Sequence, residues 1–166
     1  MLKDTIFISL SALCFVSVVQ GGTVKECEDR MAASLKPKLC EVRQYKLFES
    51  QDMYNHIDCC MKALDFVESN GSGNYHKLYR LLNDIKQSRT HGEDLETCVG
   101  KSKRAEANKR AYEYYKCLLD SKSGQTFKKA FDLKELIKAG KMKEGSRYGP
   151  EVDKKIQEID DEICKN

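Results

Sequence analysis

Residues 124–140 read GQTFKKAFDLKELIKAG, and the conformation of this stretch decides how the rest of the chain is understood. As a helix it brings Asp132 and Glu135, three residues apart and beside Phe131, onto one face about one turn apart. Both carboxylates can then point at the same place, and that place can hold a cation. The same letters also allow a plainer arrangement. Lys128, Lys129 and Lys138 stand at helical spacing from the two acids and can pair with them on a solvated surface. What the other segments bring to these acids separates the two arrangements.

Working outward, the chain has 166 residues, enough for one domain with one buried core. Its start, MLKDTIFISLSALCFVSVVQGG, has a lysine near the N-terminus, an apolar run from Ile6 to Val19 and small residues after it. The run is too short for a comfortable membrane span and no stop-transfer pattern follows, so residues 1–22 are expected to be a secretory signal and 23–166 a single exported domain. Cleavage there removes Lys3, Asp4 and Cys14, so the formal charge stays at +3 and the cysteines fall from eight to seven. A mild positive balance with acids and bases interspersed is no nucleic-acid footprint, and no second apolar span suggests a membrane. Seven cysteines spread over an exported chain argue for disulfides between distant helices and one odd thiol; roughly a hundred pairings remain open on counting alone.

Apolar spacing along the mature chain is helical throughout. Thr23-Val24-Lys25-Glu26 has the form of a capping box, so a helix should begin there and carry Cys27 inward. Pro37 should start a second helix bearing Cys40, Val42 and Arg43. Met53, His56, Ile57, Cys60, Met61 and Leu64 recur at three- and four-residue steps, which predicts a third helix running to about Ser69 before the turn at 70–74. Tyr75–Ile85 reads as a fourth. Residues 90–93 read as a loop, with Asp94 capping a short segment around Cys98. A run from about Ala105 to Leu119 follows with Ala111, Tyr114, Tyr115 and Leu118 on one side. A last helix should open at Pro150 and carry Val152, Ile156, Ile159 and Ile163. No alternating pattern suggests strands, so the expected fold class is all-α.

Several chemistries can be weighed on these residues. His56-Ile57-Asp58-Cys59-Cys60 invites comparison with a secreted calcium-dependent lipase, but the residue order differs and no glycine-rich calcium loop precedes it. His76 and His91 lie next to turns with no nucleophile or phosphate clamp nearby, and read as exposed and solvated. His56 lies on an apolar stripe, the position of a buried histidine. A zinc site is disfavoured because the thiols should be oxidised and no four-ligand spacing occurs. Asn70-Gly71-Ser72 is a glycosylation sequon in a turn. Cys59 and Cys60, adjacent on a helix, point about 100° apart, so only one is expected to join the staples.

Read together, TVKECE, LCEVRQY, HIDCCMKALDFV, YHKLY, YYKCLL and TFKKAFDLKELIKAGK occur in an order that resembles the short-form D-seven salivary proteins of blood-feeding mosquitoes, relatives of the insect odorant-binding proteins. The resemblance spans Thr23 to Cys164, and Phe131-Asp132-Leu133-Lys134-Glu135-Leu136 is its most specific part. It implies a compact bundle of about eight helices with bridges Cys27–Cys59, Cys40–Cys164 and Cys98–Cys117, leaving Cys60 odd. It also implies a salivary protein with one pocket for a biogenic amine such as serotonin, histamine or norepinephrine. The resemblance gives the ammonium to Asp132 and Glu135, the ligand's polar tip to Arg43 and His56, the aromatic walls to Tyr115 and Phe131, and a weaker part to Tyr45. It implies no enzyme activity, no cofactor and no metal; the working expectation is a monomer. The alternative partner that the family suggests is a host coagulation or kinin-generating protein, inhibited through surface residues. With ordinary carboxylate pKa values, the amine site should fail below about pH 5.

Overall fold

The computed structural model describes residues 22–165; the apolar run read as a secretory signal lies outside them. Among the described residues the chain forms eight α-helices and no strand. The first, α1 (Val24–Asp29), opens as expected: Thr23 Oγ1 accepts from the Glu26 N–H and the Glu26 carboxylate accepts from the Thr23 N–H. Pro37 sits in a 3-10 turn, Lys36–Lys38, that leads into the short α2 (Leu39–Arg43).

Helix α3 (Gln51–Ala63) ends earlier than its sequence pattern suggests. Asp65 adopts a left-handed φ of 61°, which stops the helix and turns Phe66 into the core. An isolated bridge between Val67 and Gly73 then closes the turn containing Asn70. Helix α4 (Tyr75–Ile85) follows the reading closely.

Two other boundaries differ. Residues 90–93 are the first turn of a long helix, α5 (Thr90–Arg104), rather than a loop. Gly92 is accommodated inside the helix, where the rings of Tyr75 and Tyr79 on α4 approach it. Ala105 is extended and starts a separate turn, so α6 (Arg110–Asp120) begins later than helix propensity alone predicts. Here tertiary packing overrides propensity: α5 and α6 run against one another and are joined by Cys98–Cys117.

The opening stretch forms α7 (Gly124–Lys138), and α8 (Pro150–Cys164) completes the bundle. A side chain at Gly124 would meet the Leu119 carbonyl oxygen at 2.4 Å, so only glycine allows the sharp entry from α6 into α7. Helix α7 packs against α4, α6 and α8. It therefore buries more than one stripe, including Phe127, Ala130, Phe131, Leu133, Glu135 and Leu136. The three bridges pair as the resemblance implied, α1 to α3, α2 to α8 and α5 to α6, and Cys60 is left as a buried free thiol.

His76 is exposed, but His91 is not: it is 2% exposed and fully engaged. Its Nε2 lies 2.8 Å from the Lys86 carbonyl oxygen and its Nδ1 lies 2.7 Å from Ser123 Oγ. The Ser123 hydroxyl and N–H both donate to Asp94 Oδ2, at 2.6 and 2.9 Å. This serine–histidine–aspartate trio locks the start of α5 to the start of α7. Ser123 is wholly buried and its hydroxyl is held between Asp94 and His91, so the trio is a structural clasp and not an accessible nucleophile with its base.

Candidate functional site

A cavity at the centre of the bundle is lined by all seven residues singled out above, Arg43, Tyr45, His56, Tyr115, Phe131, Asp132 and Glu135. They come from α2, α3, α6, α7 and the segment after α2, each placed for a local reason. Arg43 ends α2, and His56 lies on the inward stripe of α3. Tyr115 faces inward from α6, while Phe131, Asp132 and Glu135 follow one another along one side of α7. Glu135 occupies what would otherwise be a core position and is 7% exposed. The surface-pair arrangement is absent. Lys138 pairs with Asp65 at 2.8 Å, Lys128 lies over the ring of Tyr45, and Lys129 lies over the ring of Tyr148.

Arg43, its side chain 6% exposed, is the electrostatic centre of the site. Its Nη1 donates to Glu135 at 2.7 Å and to Glu28 at 3.1 Å, and its Nε donates to Asp160 at 2.7 Å. Burial works against this charge, but Glu135 and Glu28 more than offset it and hold the guanidinium pKa above its ordinary value. The arginine therefore sits beside the acids, and its Nε and Nη1 serve the charge balance that two converging carboxylates demand. One guanidinium meets three carboxylates, and Asp132 brings a fourth into the same cavity.

The acids register that imbalance. Burial raises the pKa of Asp132 to about 7; neighbouring Glu135 adds to the rise, and the Tyr45 hydrogen bond and Arg43 oppose it. Burial also raises Glu135, against the pull of Arg43, with Glu28 and Asp160 adding their repulsion. Such a cluster gains from a further positive charge with N–H donors.

Away from the acids the walls are apolar and aromatic. Tyr115 and Phe131 meet edge to face with centroids 5.8 Å apart, and Tyr45 stacks against Tyr115 at 6.4 Å. His56 is buried and its Nδ1 has no hydrogen-bond partner, while its Nε2 lies 3.6 Å from Cys60 Sγ. Burial, opposed by the Cys27 backbone and helped by Arg43, holds the His56 pKa down to about 4, so the ring is neutral at physiological pH and can both donate and accept.

Sequence reading missed Glu28, Cys60 and Asp160. Glu28 stands at i+4 from Val24 and next to Cys27, an acid on the inward side of α1, and Asp160 follows Ile156 by four residues on α8. A charge at an apolar position was the available signal in both. Cavity size is a poor guide here. The central cavity measures about 30 Å³ for a water-sized sphere, whereas a cleft between α4, α7 and residues 144–148 measures about 510 Å³.

Fold and site together define a helical small-ligand-binding protein with a disulfide-braced cavity lined by carboxylates and aromatic rings. The comparisons make this specific: the PBP/GOBP family matches residues 22–121. The short-form salivary protein D7R1 of Anopheles stephensi is 49% identical over 99% of this chain and 100% of its own length. D7R1 of Anopheles gambiae is 50% identical over 95% of both chains. The crystal structure of the Anopheles gambiae D7R4–norepinephrine complex superposes with a TM-score of 0.83 at 45% identity, covering 86% of this chain and 99% of that one. The chain belongs to the short-form salivary D7 proteins within the PBP/GOBP family.

Proposed function

We propose that this protein is secreted in saliva and sequesters host biogenic amines of the serotonin, histamine and norepinephrine type, countering vasoconstriction, platelet aggregation and inflammation at a feeding site. The observation that carries this reading is the charge imbalance: Arg43 pairs with Glu28, Glu135 and Asp160, and Asp132 joins Glu28 and Glu135 in the wall of a cavity with aromatic sides. The norepinephrine complex of the 45% identical D7R4 supports it.

In this mechanism the ligand's ammonium donates to Asp132 and Glu135, and Arg43 prevents the remaining carboxylates from repelling one another. The flat ring lies among Tyr115 and Phe131, and its hydroxyl or ring nitrogen reaches His56. Removal of a mediator at low concentration needs a dissociation constant near nanomolar, about −12 kcal/mol. For a ligand of about 13 heavy atoms this is roughly −0.9 kcal/mol per atom, below the ceiling for very small ligands but close enough to demand enclosure on nearly every side. The interhelical disulfides suit that demand because they limit the freedom of the walls to open or collapse.

Titration calorimetry against serotonin, histamine and norepinephrine tests the reading. Asp132→Asn and Glu135→Gln are each expected to weaken amine binding at least ~tenfold, about 1.4 kcal/mol. Unchanged affinity in both variants would sink it.

A further inference from the structure

The amine reading, on which this inference rests, meets a geometric obstacle. A cavity of about 30 Å³ for a water-sized sphere has room for a water or two, not for a bicyclic amine. Some part of the wall must therefore move when the ligand enters. Eleven of the twelve lining residues are on helices: Val24 and Glu28 on α1, Val42 and Arg43 on α2, and the others on α3, α6 and α7. Cys27–Cys59 fastens α1 to α3, and Cys40–Cys164 fastens α2 to α8. Tyr45 is the exception. It belongs to the segment 44–50 between α2 and α3, which carries no bridge.

Tyr45 is also held in an unusual way. Its φ is +63°, in the left-handed region that a bulky residue rarely occupies. Its hydroxyl lies on Asp132 Oδ1 and within 3.2 Å of the Lys128 carbonyl oxygen, and its ring closes over Tyr115 and Phe131. We propose that Tyr45 is the gate of the amine cavity, its hydroxyl holding the acceptor on Asp132 that the ligand's ammonium takes over as segment 44–50 swings aside. The exchange replaces a neutral O–H donor by a charged N–H donor. The hydroxyl bond to a carboxylate carries one charge, whereas the ammonium–carboxylate bond carries two opposite ones, so the exchange adds a direct Coulombic attraction and favours a cation. A neutral aromatic alcohol of the same shape offers Asp132 no better donor than the tyrosine it must displace. The gate thus selects amines over neutral rings before any contact at the ring's far end is made.

Cys60 supplies a readout that needs no amine. It is a buried free thiol in the cavity wall, 2% exposed, and the only unbridged cysteine among the described residues. Its rate of alkylation by N-ethylmaleimide in the folded mature protein, followed by intact mass, reports how often the cavity opens. Tyr45→Phe keeps the ring and removes the hydroxyl. It is expected to speed alkylation roughly fivefold, the fold-change that corresponds to losing about 1 kcal/mol from the closed arrangement. Tyr148→Phe removes an exposed hydroxyl–carboxylate bond, to Asp153, neither partner of which lines the cavity, and should leave the rate unchanged. Equal rates in wild type and Tyr45→Phe would overturn the gate, as would equal acceleration by Tyr148→Phe. Saturating serotonin should slow alkylation of the wild type. If Tyr45→Phe speeds labelling while no amine protects Cys60, the gate stands and the amine reading falls.

Discussion

Two buried polar clusters in the same helix bundle differ in how their hydrogen bonds close. Around Ser123, every side-chain group has a partner: His91 uses both ring nitrogens, and Asp94 receives both donors of the serine. Around Arg43, one guanidinium faces Glu28, Glu135 and Asp160, Asp132 stands close by, and His56 Nδ1 has no partner. The first cluster is complete without any other molecule. The second carries surplus negative charge and an unused polar atom in a low-dielectric cavity, a costly arrangement that a bound cation would relieve. Residue type alone does not separate them, since the serine–histidine–aspartate trio has the more enzyme-like composition. Completeness of the bonding does.

The largest effect is expected at the charged centre. Arg43→Ala leaves three carboxylates facing one another, and loss of one partner from a buried ion pair costs about 3–5 kcal/mol. Denaturant unfolding of this variant should show a loss of that size; a change near zero would mean that the cluster is solvated and its imbalance illusory. The satisfied cluster gives a smaller effect of a different kind. Ser123→Ala removes the shared partner of His91 and Asp94 and should cost about 1–3 kcal/mol of stability. Amine affinity in that variant should match wild type under conditions where it is folded. A Ser123→Ala protein that kept its stability but lost amine binding would reverse the roles assigned to the two clusters.

Much of this arrangement was legible from sequence because helical periodicity and caps are local. Thr23 and Glu26 form the capping box, Tyr75–Ile85 has its expected ends, and Pro150 opens the last helix. What failed was set by distant contacts. Gly92 reads as a break unless the rings of Tyr75 and Tyr79 across from it are known, and His91 reads as solvated unless Ser123, 32 residues away, is placed beside it. The site shows the same division. Asp132 and Glu135 share a face because they lie on one helix, a local fact. That Arg43 spends its Nε and Nη1 on Glu28, Glu135 and Asp160 depends on how α1, α2, α7 and α8 pack, and no spacing within a single segment encodes it.

The pH dependence of amine binding probes the surplus charge without any mutation. Ordinary carboxylates would hold an amine down to about pH 5. Burial, with Glu135 adding its charge, instead raises Asp132 to about 7, so its uncharged form is the one favoured just below neutrality. Binding an ammonium requires the charged form, and below pH 7 the site must therefore release a proton as the amine enters. His56, held near 4, stays neutral throughout this window and contributes no charge change of its own. The amine is fully protonated there. Affinity should thus fall roughly eightfold between pH 7.5 and pH 6 and approach a tenfold loss per unit below that, with proton release detectable as a buffer-dependent heat of binding. Affinity that stays flat to pH 5 would show that Asp132 is already ionised, and that the Tyr45 hydroxyl and Arg43 stabilise its charge more than burial opposes it.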